Sequence, residues 1–366
     1  MKIRVLHIIG KMDRAGAETM LMNLYRNIDR DQIQFDFITF TYEEGDYDSE
    51  IIELGGKIIP VVGANAISRM WHLTNFLKSH PEYQIVHAHT LLSNSFHLIA
   101  AKIAKVKCFI SHSHSTSNGK FGFISRIYEK ISIYLNTNYS DFRIACGKEA
   151  GGYLFSHASD VKILPNAVDL DKFNAISKKH SNYIQNNLEG EGLKIIQVGR
   201  LQEVKNYKFS LEIVEKLREL NFSFTLYIIG KGPLLFSLKE CVNSKGLSKY
   251  VKFLGLREDI PELMAGADCM IMPSLNEGFP VVLVESQSIG LKSFVSDRVA
   301  KEVDLGFELV DFLTINDVKP WVTRLCSHKK SKSDSTIRNE ILAQLGFDIR
   351  SNAEYLMNLY QSIIYK

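Results

Sequence analysis

Apolar, β-branched runs of strand length recur along the chain and alternate with amphipathic stretches of helix length. This alternation indicates parallel strands joined by right-handed crossovers, with helices on both faces of each sheet. In the first half we predict strands at 5–9, 35–40, 57–61, 85–87, 108–112, 143–146 and 161–164, and helices at 17–28, 67–78, 95–105, 124–135 and 148–155.

The pattern lapses between residues 169 and 192, where polar residues and glycines with little periodicity predict a linker. A second series follows, with strands at 193–198, 223–229, 250–254, 269–272 and 292–295, and helices at 209–220, 234–245, 280–289 and 318–327.

The sequence therefore predicts an α/β protein of two Rossmann-like, doubly wound domains, at 1–168 and 193–350. We expect the amphipathic segment 351–366 to fold back on the first domain. The two domains are expected to face a central cleft, because ligands of such folds bind at the carboxyl ends of the strands.

Composition narrows the class of protein. A chain of 366 residues suits two domains, and 45% hydrophobic with 23% charged residues is typical of a globular protein. The net charge of +3 is too small to predict nucleic-acid binding, although it permits contact with an anionic membrane.

The cysteines and the N-terminus bear on location. The five cysteines are scattered and form no C-x-x-C pair, which argues against a disulfide framework and fits a reducing compartment. The first apolar run is too short for a signal-peptide core, and no window reaches the ~18 apolar residues of a spanning helix. We expect a cytoplasmic protein, at most peripheral to the membrane.

The most informative motif is P-S-L-N-E-G-F-P-V-V-L-V-E, which occupies residues 273–285. Pro280 suits the first turn of a helix, and Gly290 can end that helix. Free N–H groups at the helix start would offer a site for an anion or a sugar hydroxyl. Spacing alone also allows Glu277 and Glu285 to be ordinary surface carboxylates near a helix start.

This motif resembles the E-x7-E motif of the retaining glycosyltransferases of family 4, which have the two-domain fold called GT-B. The resemblance implies that Glu285 accepts hydrogen bonds from the ribose hydroxyls and that Glu277 lies beside the transferred sugar. It also implies that the backbone at Gly278, Phe279 and Pro280 binds sugar hydroxyls. Carboxylates suit these tasks because they accept charge-assisted hydrogen bonds.

A second motif, G-R-L-Q-E-V-K-N, begins at Gly199. Arg200 and Lys205 follow a predicted strand, where they could bind a diphosphate or simply be solvated cations. The motif resembles the family's G-R-x(n)-K element, which implies stabilisation of the leaving nucleoside diphosphate. Gly230, in G-K-G-P, is similar to a family turn that shapes the nucleotide pocket.

The loop after the first strand reads G-K-M-D-R-A-G-A-E. Gly16 would let the backbone approach a donor phosphate at a helix N-terminus, or it would simply permit a tight turn. The loop resembles the family's G-G-x-E loop but has Ala15 in place of the first glycine.

Histidines occur as H-A-H at residues 87–89 and as S-H-S-H at residues 111–114. This spacing could indicate a metal site, but no third ligand accompanies the two pairs in the sequence. Since a strand alternates faces, we expect one histidine of each pair to reach the cleft. His114 resembles the family's active-site histidine, and His89 could line the acceptor side. For His87, His89 and His112 a packing role is the alternative.

Two D-x-D strings, at residues 46–48 and 169–171, match a sequence that holds a divalent ion in other glycosyltransferases. The first lies in a polar loop. The second belongs to L-P-N-A-V-D-L-D-K-F, which resembles the family's P-N-G-V-D crossover. We therefore expect neither string to bind metal, and we expect no cofactor apart from the donor substrate.

The segment 121–134 is rich in aromatic and aliphatic residues, with Lys120, Arg126 and Lys130 interspersed. Two interpretations stay open. The segment is a core helix with a solvated basic face, or it is an interfacial helix that meets a lipid-linked acceptor at an anionic membrane.

The resemblance implies a metal-independent hexosyltransferase that moves a sugar, with retention, from a UDP-sugar, or with GDP as the alternative. The implied acceptor is a hydroxyl of a glycan or polyprenyl-diphosphate-linked glycan in surface polysaccharide biosynthesis. A nucleotide-sugar epimerase or phosphorylase and a non-catalytic nucleotide-sugar sensor are the alternatives. A dehydrogenase or P-loop kinase is disfavoured because the glycine motifs of both are absent.

Overall fold

The computed structural model describes residues 2–116, 122–156, 158–329 and 335–365. The chain divides into two compact units. The first combines Met1–Ala167 with Asp348–Lys366, and the second is Val168–Phe347.

The first unit is built on a parallel seven-stranded sheet. Its strands in chain order are β1 (Ile3–Ile8), β2 (Ile33–Thr39), β3 (Ile58–Pro60), β4 (Ile85–Ala88), β5 (Cys108–Ser113), β6 (Phe142–Ala145) and β7 (Lys162–Ile163). The spatial order is β3-β2-β1-β4-β5-β6-β7, so the order reverses between β1 and β4. A crevice for ligands forms at such a reversal because the connections on its two sides leave in opposite directions.

Helices cover both faces of this sheet. They are α1 (Gly16–Asn27), α2 (Asp48–Glu53), α3 (Ala66–Ser79), α4 (Asn94–Ile103), α5 (Phe123–Tyr139) and α6 (Lys148–Phe155). Because both faces are covered, strands such as β2 are buried along their whole length and lack alternation.

The second unit has a parallel six-stranded sheet in the order β10-β9-β8-β11-β12-β13, which reverses between β8 and β11. Its strands are β8 (Leu193–Val198), β9 (Phe224–Ile229), β10 (Val251–Gly255), β11 (Cys269–Met272), β12 (Lys292–Ser296) and β13 (Val310–Leu313). Its helices are α7 (Leu170–Lys179), α8 (Tyr183–Asn187), α9 (Tyr207–Glu219), α10 (Leu235–Ser244), α11 (Ile260–Gly266), α12 (Val281–Ile289), α13 (Lys319–Ser327) and α14 (Ser335–Gln344).

The predicted linker at 169–192 is wrong for much of its length, because α7 and α8 occupy it. The Asp169 side chain begins α7 by accepting a hydrogen bond of 3.0 Å from the backbone N–H of Lys172. Leu170 and Phe173 then pack into the core of the second unit. The helical period was hidden because a helix of ten residues offers few apolar positions among many polar ones.

The last helix, α15 (Ile349–Tyr365), belongs to the first unit, where it contacts α1 and β1. Leu356 and Tyr360 are fully buried, and the Tyr360 ring meets Phe35 edge-on with centroids 6.1 Å apart. The C-terminal segment therefore completes the core beneath the central strand β1.

Helix α5 departs from the core-helix interpretation. Several of its large apolar side chains face solvent, with Ile124 83% exposed, and Tyr128, Ile133 and Leu135 are partly buried against the cores. The buried residues of the helix are the polar Ser132 and Asn136. The polar pair fits the interior because Asn136 bonds to Ser111 of β5. Lys120 and Phe121 lie outside the described residues. Within the described ranges, no helix has the length and apolarity needed to cross a bilayer.

Candidate active site

In the second unit, two glycine turns meet at the carboxyl ends of β8 and β9. Gly199 and Gly230 have φ angles of 155° and 140°. A Cβ atom on Gly230 would lie 2.1 Å from the Gly199 carbonyl oxygen, so only glycine allows this approach. That carbonyl accepts a hydrogen bond of 2.8 Å from the Tyr207 hydroxyl. The turns after β8 and β9 thus form one rigid edge, and exposed Arg200 is the next residue along it.

The turn at 203–205 links the G-R-L-Q-E-V-K-N motif to the loop of the 273–285 motif. Asn206, in the left-handed conformation with φ 53°, ends this turn. Its side-chain Nδ2 donates to the Pro273 carbonyl at 3.0 Å, and the Leu275 N–H donates to the Val204 carbonyl at 2.8 Å. These bonds fix Lys205 beside the loop that follows β11.

Lys205 and Glu277 form an ion pair, with Lys205 Nζ 2.5 Å from Glu277 Oε1. Their side chains are only 19% and 17% exposed, so solvent screens their attraction less than it screens a surface pair. The Glu277 carbonyl also accepts a hydrogen bond from the Ala300 N–H at 3.1 Å. The structure therefore brings together two of the side chains that the sequence predicts to be catalytic.

The loop at 277–280 leads into α12 one residue later than predicted. Pro280 precedes the helix with extended backbone, at ψ 122°, and the first helical residue is Val281. The helix ends at Gly290, which has φ 87°. The Leu283 N–H donates to the Pro280 carbonyl at 3.0 Å, and the anion site at the start of this helix stays a prediction.

Residues Gly278 and Phe279 are half-buried in this loop. The Phe279 ring stacks on Phe347 with centroids 5.6 Å apart. Its side chain is therefore engaged in the core of the second unit, and what Phe279 can offer a ligand is its backbone.

Glu285 lies on α12, half-buried. Burial raises the pKa of its carboxyl group from 4.5 to about 7, against the opposing attraction of Lys172. Near neutral pH the group is thus divided between its neutral and ionised forms.

In the first unit, the loop after β1 ends at Gly16, the first residue of α1. A Cβ atom on Gly16 would meet no atom within 4 Å, so the space beside it is open to a ligand. The side chain of Asp46 accepts a hydrogen bond of 3.0 Å from the Arg14 N–H, and that of Asp48 accepts one of 2.9 Å from the Gly45 N–H. The first D-x-D string therefore shapes this loop, and its second aspartate begins α2.

His87 lies in β4 and His112 in β5, whereas His89 and His114 follow these strands. Because residues i and i+2 of a strand share a face, the alternation argument does not separate the members of a pair, and which of them contacts a ligand stays a prediction. The rings of His87 and His89 lie 4.3 Å apart, and those of His112 and His114 lie 4.1 Å apart. We define the histidine cluster as His7, His87, His89, His112 and His114.

His7 is the member that sequence analysis missed, because it lies within the apolar run of β1, far from the other histidines. The signal that identifies it is register: His7 of β1 pairs with His87 of β4 across the reversal of strand order. Nδ1 of His7 lies 3.0 Å from Nε2 of His89, whose Nδ1 lies 2.9 Å from Nε2 of His114.

Burial holds the cluster in its uncharged form. It lowers the pKa of His114 to about 3 and that of His89 well below its usual value. His114 is the most exposed member, and the other members are buried. A neutral imidazole can donate from one nitrogen and accept at the other, so His114 presents a polar but uncharged edge.

A different cavity, of about 300 Å³, lies at the amino ends of β9 and β10. It is lined by residues such as Phe224, Thr225 and Tyr250, and it contains none of the predicted site residues. The motif residues of the second unit lie instead at the carboxyl edge of its sheet.

Two observations define the class of protein. The chain has two parallel α/β sheets of Rossmann type, and motifs that contain glutamate, lysine and arginine lie at the carboxyl edge of the second sheet. Residues 14–172 match the family model described as Glycosyltransferase Family 4, and residues 179–302 match the one described as Glycosyl transferases group 1. The chain belongs to the family 4 glycosyltransferases, and its fold is GT-B.

Individual relatives support this assignment over the full chain. The protein named "Putative glycosyltransferase EpsF" of Bacillus subtilis (strain 168) is 36% identical over 98% of this chain and 96% of its own length. The UDP-Gal:alpha-D-GlcNAc-diphosphoundecaprenol alpha-1,3-galactosyltransferase of Escherichia coli is 28% identical over 77% of this chain and 76% of its own length.

Among solved structures, Anabaena Alr3699/HepE in complex with UDP superposes with a TM-score of 0.73. The alignment covers 99% of this chain and 100% of that chain at 19% identity. At this identity the likeness shows the fold, and the GT-B architecture predicted from the sequence is confirmed.

Proposed function

We propose that the protein transfers a sugar from a UDP-sugar to a hydroxyl of a lipid-linked glycan, with retention, in surface polysaccharide biosynthesis. The pairing of Lys205 with Glu277 at the carboxyl edge of the second sheet carries this proposal. UDP is favoured because the relative from Escherichia coli is named for UDP-galactose and the Anabaena structure contains UDP. The name of the former also specifies an acceptor on diphosphoundecaprenol.

In this proposal the donor diphosphate binds beside Lys205 and Arg200. Lys205 Nζ exchanges its contact with Glu277 for a phosphate oxygen, and Glu277 then accepts hydrogen bonds from the sugar hydroxyls. Both side chains keep part of their surface exposed, which the exchange requires. The two cations stabilise the negative charge that grows on the leaving diphosphate, and this is commonly the largest electrostatic contribution to such a reaction.

Transfer with retention needs no protein nucleophile. The acceptor hydroxyl forms its bond to the anomeric carbon on the face from which the diphosphate leaves, the bond from that carbon to the phosphate oxygen breaks, and a phosphate oxygen takes the hydroxyl proton. Fixed cations make a divalent ion unnecessary at the diphosphate. His114 contributes an uncharged hydrogen-bonding edge, and His89 stands on the acceptor side of the same sheet edge.

A donor screen followed by an acceptor assay tests this proposal. A panel of UDP- and GDP-sugars, with and without EDTA, should yield a UDP-sugar that raises the melting temperature equally in both conditions. With that donor and a synthetic polyprenyl-diphosphate glycan, NMR should find the anomeric configuration preserved in the product. Release of an epimerised donor without acceptor, or an inverted product, would contradict the proposal.

We further propose that α5 contacts the cytoplasmic face of an anionic membrane, where a lipid-linked acceptor lies. Phe123, Ile127 and Ile131 are exposed and follow one another at helical spacing, and the basic Arg126 and Lys130 are exposed beside them. Apolar side chains in a basic setting are typical of interfacial helices.

Liposome flotation tests the membrane contact. The wild-type protein should float with vesicles that contain anionic lipid, and Arg126→Glu with Lys130→Glu should abolish flotation. The matched control reverses two exposed cations outside α5, Lys208 and Lys216, and should float like the wild type. Equal flotation of all three proteins would refute the idea.

A further inference from the structure

We propose that the first unit binds one divalent transition-metal ion of the zinc class between His7, His87 and His89. Each of these residues offers a ring nitrogen, and the three nitrogens lie within 4.8 Å of one another. All three side chains are buried. The sequence predicted no metal because it showed no third ligand, and the pairing of β1 with β4 supplies that ligand.

The spacing of the nitrogens is close to what an ion requires. Imidazole nitrogens bind zinc at about 2.0–2.1 Å, which places two tetrahedral ligand atoms roughly 3.4 Å apart. Nδ1 of His7 and Nε2 of His89 are 3.0 Å apart, so a small rotation of the rings accommodates an ion between them. Nε2 of His87 also lies 3.2 Å from Nδ1 of His112, so a fourth imidazole is near the same place.

In two of the proposed ligands, the ring nitrogen that does not bind the ion, here called the outer nitrogen, contacts a neighbouring side chain, as it does in known metal sites. Nδ1 of His87 lies 2.7 Å from the Tyr360 hydroxyl on α15, and Nδ1 of His89 lies 2.9 Å from Nε2 of His114. When an outer nitrogen carries the proton and donates it to such a partner, the lone pair of Nε2 is left for the ion. These contacts therefore select the ring orientation that a metal needs.

The cluster is also chemically incomplete without a ligand. Within the described part of the chain, Nε2 of His7 and Nε2 of His112 are buried with no hydrogen-bond partner. Burying polar nitrogens without partners costs free energy, so the cluster retains unused capacity to bind a ligand.

A second triad, His89, His112 and His114, is also within reach of a single ion. We favour the inner triad because His114 is partly exposed and already serves as the partner of His89. When an ion occupies the inner triad, the His89 proton stays on Nδ1. His114 then accepts that proton's hydrogen bond at Nε2, which leaves its own proton on the buried Nδ1.

Co²⁺ and Zn²⁺ titrations of the full-length, untagged protein test the site without donor or acceptor, so the result is independent of the proposed transferase activity. We expect one ion per chain, with Co²⁺ visible-region bands typical of nitrogen ligation, and a Zn²⁺-dependent rise in melting temperature. His87→Gln and His89→Gln should each weaken binding at least 100-fold. Tyr360→Phe, which keeps the ring in the core, should weaken it roughly 10- to 100-fold.

The matched control is His97→Gln. His97 is a buried histidine of the same unit, but it packs against Phe40 outside the cluster, so its replacement should leave binding unchanged. Circular dichroism of each variant verifies folding, and Tyr360→Phe keeps the test valid if a histidine variant does not fold. Absence of a stoichiometric ion in the wild type, or equal binding in His89→Gln and Tyr360→Phe, would overturn the proposal.

Discussion

Glu285→Gln should alter both the pH dependence of stability and that of donor binding, because a single carboxyl group on α12 carries a raised pKa. In the folded chain its pKa is about 7, against 4.5 for the unperturbed group. The folded state thus holds the proton more tightly than the unfolded state does between these values. Stability from this group is fully present below pH 4.5 and is lost as pH rises to about 7.

The size of the effect follows from the shift. A pKa difference of one unit corresponds to about 1.4 kcal/mol, so ionisation of Glu285 costs the folded state at most about 3 kcal/mol above pH 7. Partial exposure of the side chain reduces this figure. Glutamine cannot ionise, so the variant should gain stability relative to the wild type as the pH is raised from 5 to 8.

Donor binding should respond in the opposite direction. If the ribose hydroxyls donate to the ionised carboxylate, affinity follows the ionised fraction, which is about a tenth at pH 6 and about nine-tenths at pH 8 for a pKa of about 7. We expect wild-type affinity for UDP to rise roughly tenfold across this range and that of Glu285→Gln to be weak and flat.

Denaturant midpoints and calorimetric titration with UDP, both at pH 5 to 8, check the two expectations. Glu240→Gln is the control, because Glu240 is an exposed carboxylate on another helix of the same unit. A constant difference between Glu285→Gln and wild type at every pH would show that the carboxyl group titrates normally, and the reasoning from burial would fail.

Three further changes probe the site and the core. Lys205→Met should lower kcat by about 10²–10³ by removing a cation from the leaving diphosphate, whereas Lys208→Met on the exposed side of the neighbouring helix should not; steady-state kinetics compare them. Gly230→Ala should reduce the melting temperature and donor affinity together, because its Cβ would meet the Gly199 carbonyl oxygen at 2.1 Å. Leu356→Ala should cost about 2–5 kcal/mol of unfolding free energy, measured by denaturation, since α15 is part of the first core.

Much of the fold was accessible from the pattern of apolar residues, because buried parallel strands are short, apolar and bounded by polar turns. β1, β5 and β8 appear in the structure within a residue or two of their predicted positions. Two short elements were not predicted: β13, with four residues on a sheet edge, and α11, with seven. Other strands of four residues, β4, β6 and β11, were predicted, so shortness weakens the pattern without always hiding it.

Helix α5 shows the limit of hydrophobicity as a guide to burial. Its sequence is as apolar as that of a core helix, yet the interior accepts the polar Ser132 and Asn136 because hydrogen-bond partners are present there. The partners are Ser95 of α4 and Ser111 of β5, which lie far from α5 along the chain, so the local sequence contains no sign of them. Which residues of α5 are buried therefore depends on the fold and not on local hydrophobicity alone.

The two candidate sites differ in how far the sequence could define them, and the reason is physical. Glu277 and Glu285 sit on one loop and the helix that follows it, so local spacing identifies them. The histidine cluster depends on which strands are neighbours and in which register, and His7 joins it only because β1 pairs with β4. A ligand set assembled across a parallel sheet is separated by whole crossover units. No local sequence motif can therefore reveal such a ligand set, but the set can be predicted once the strand order is known.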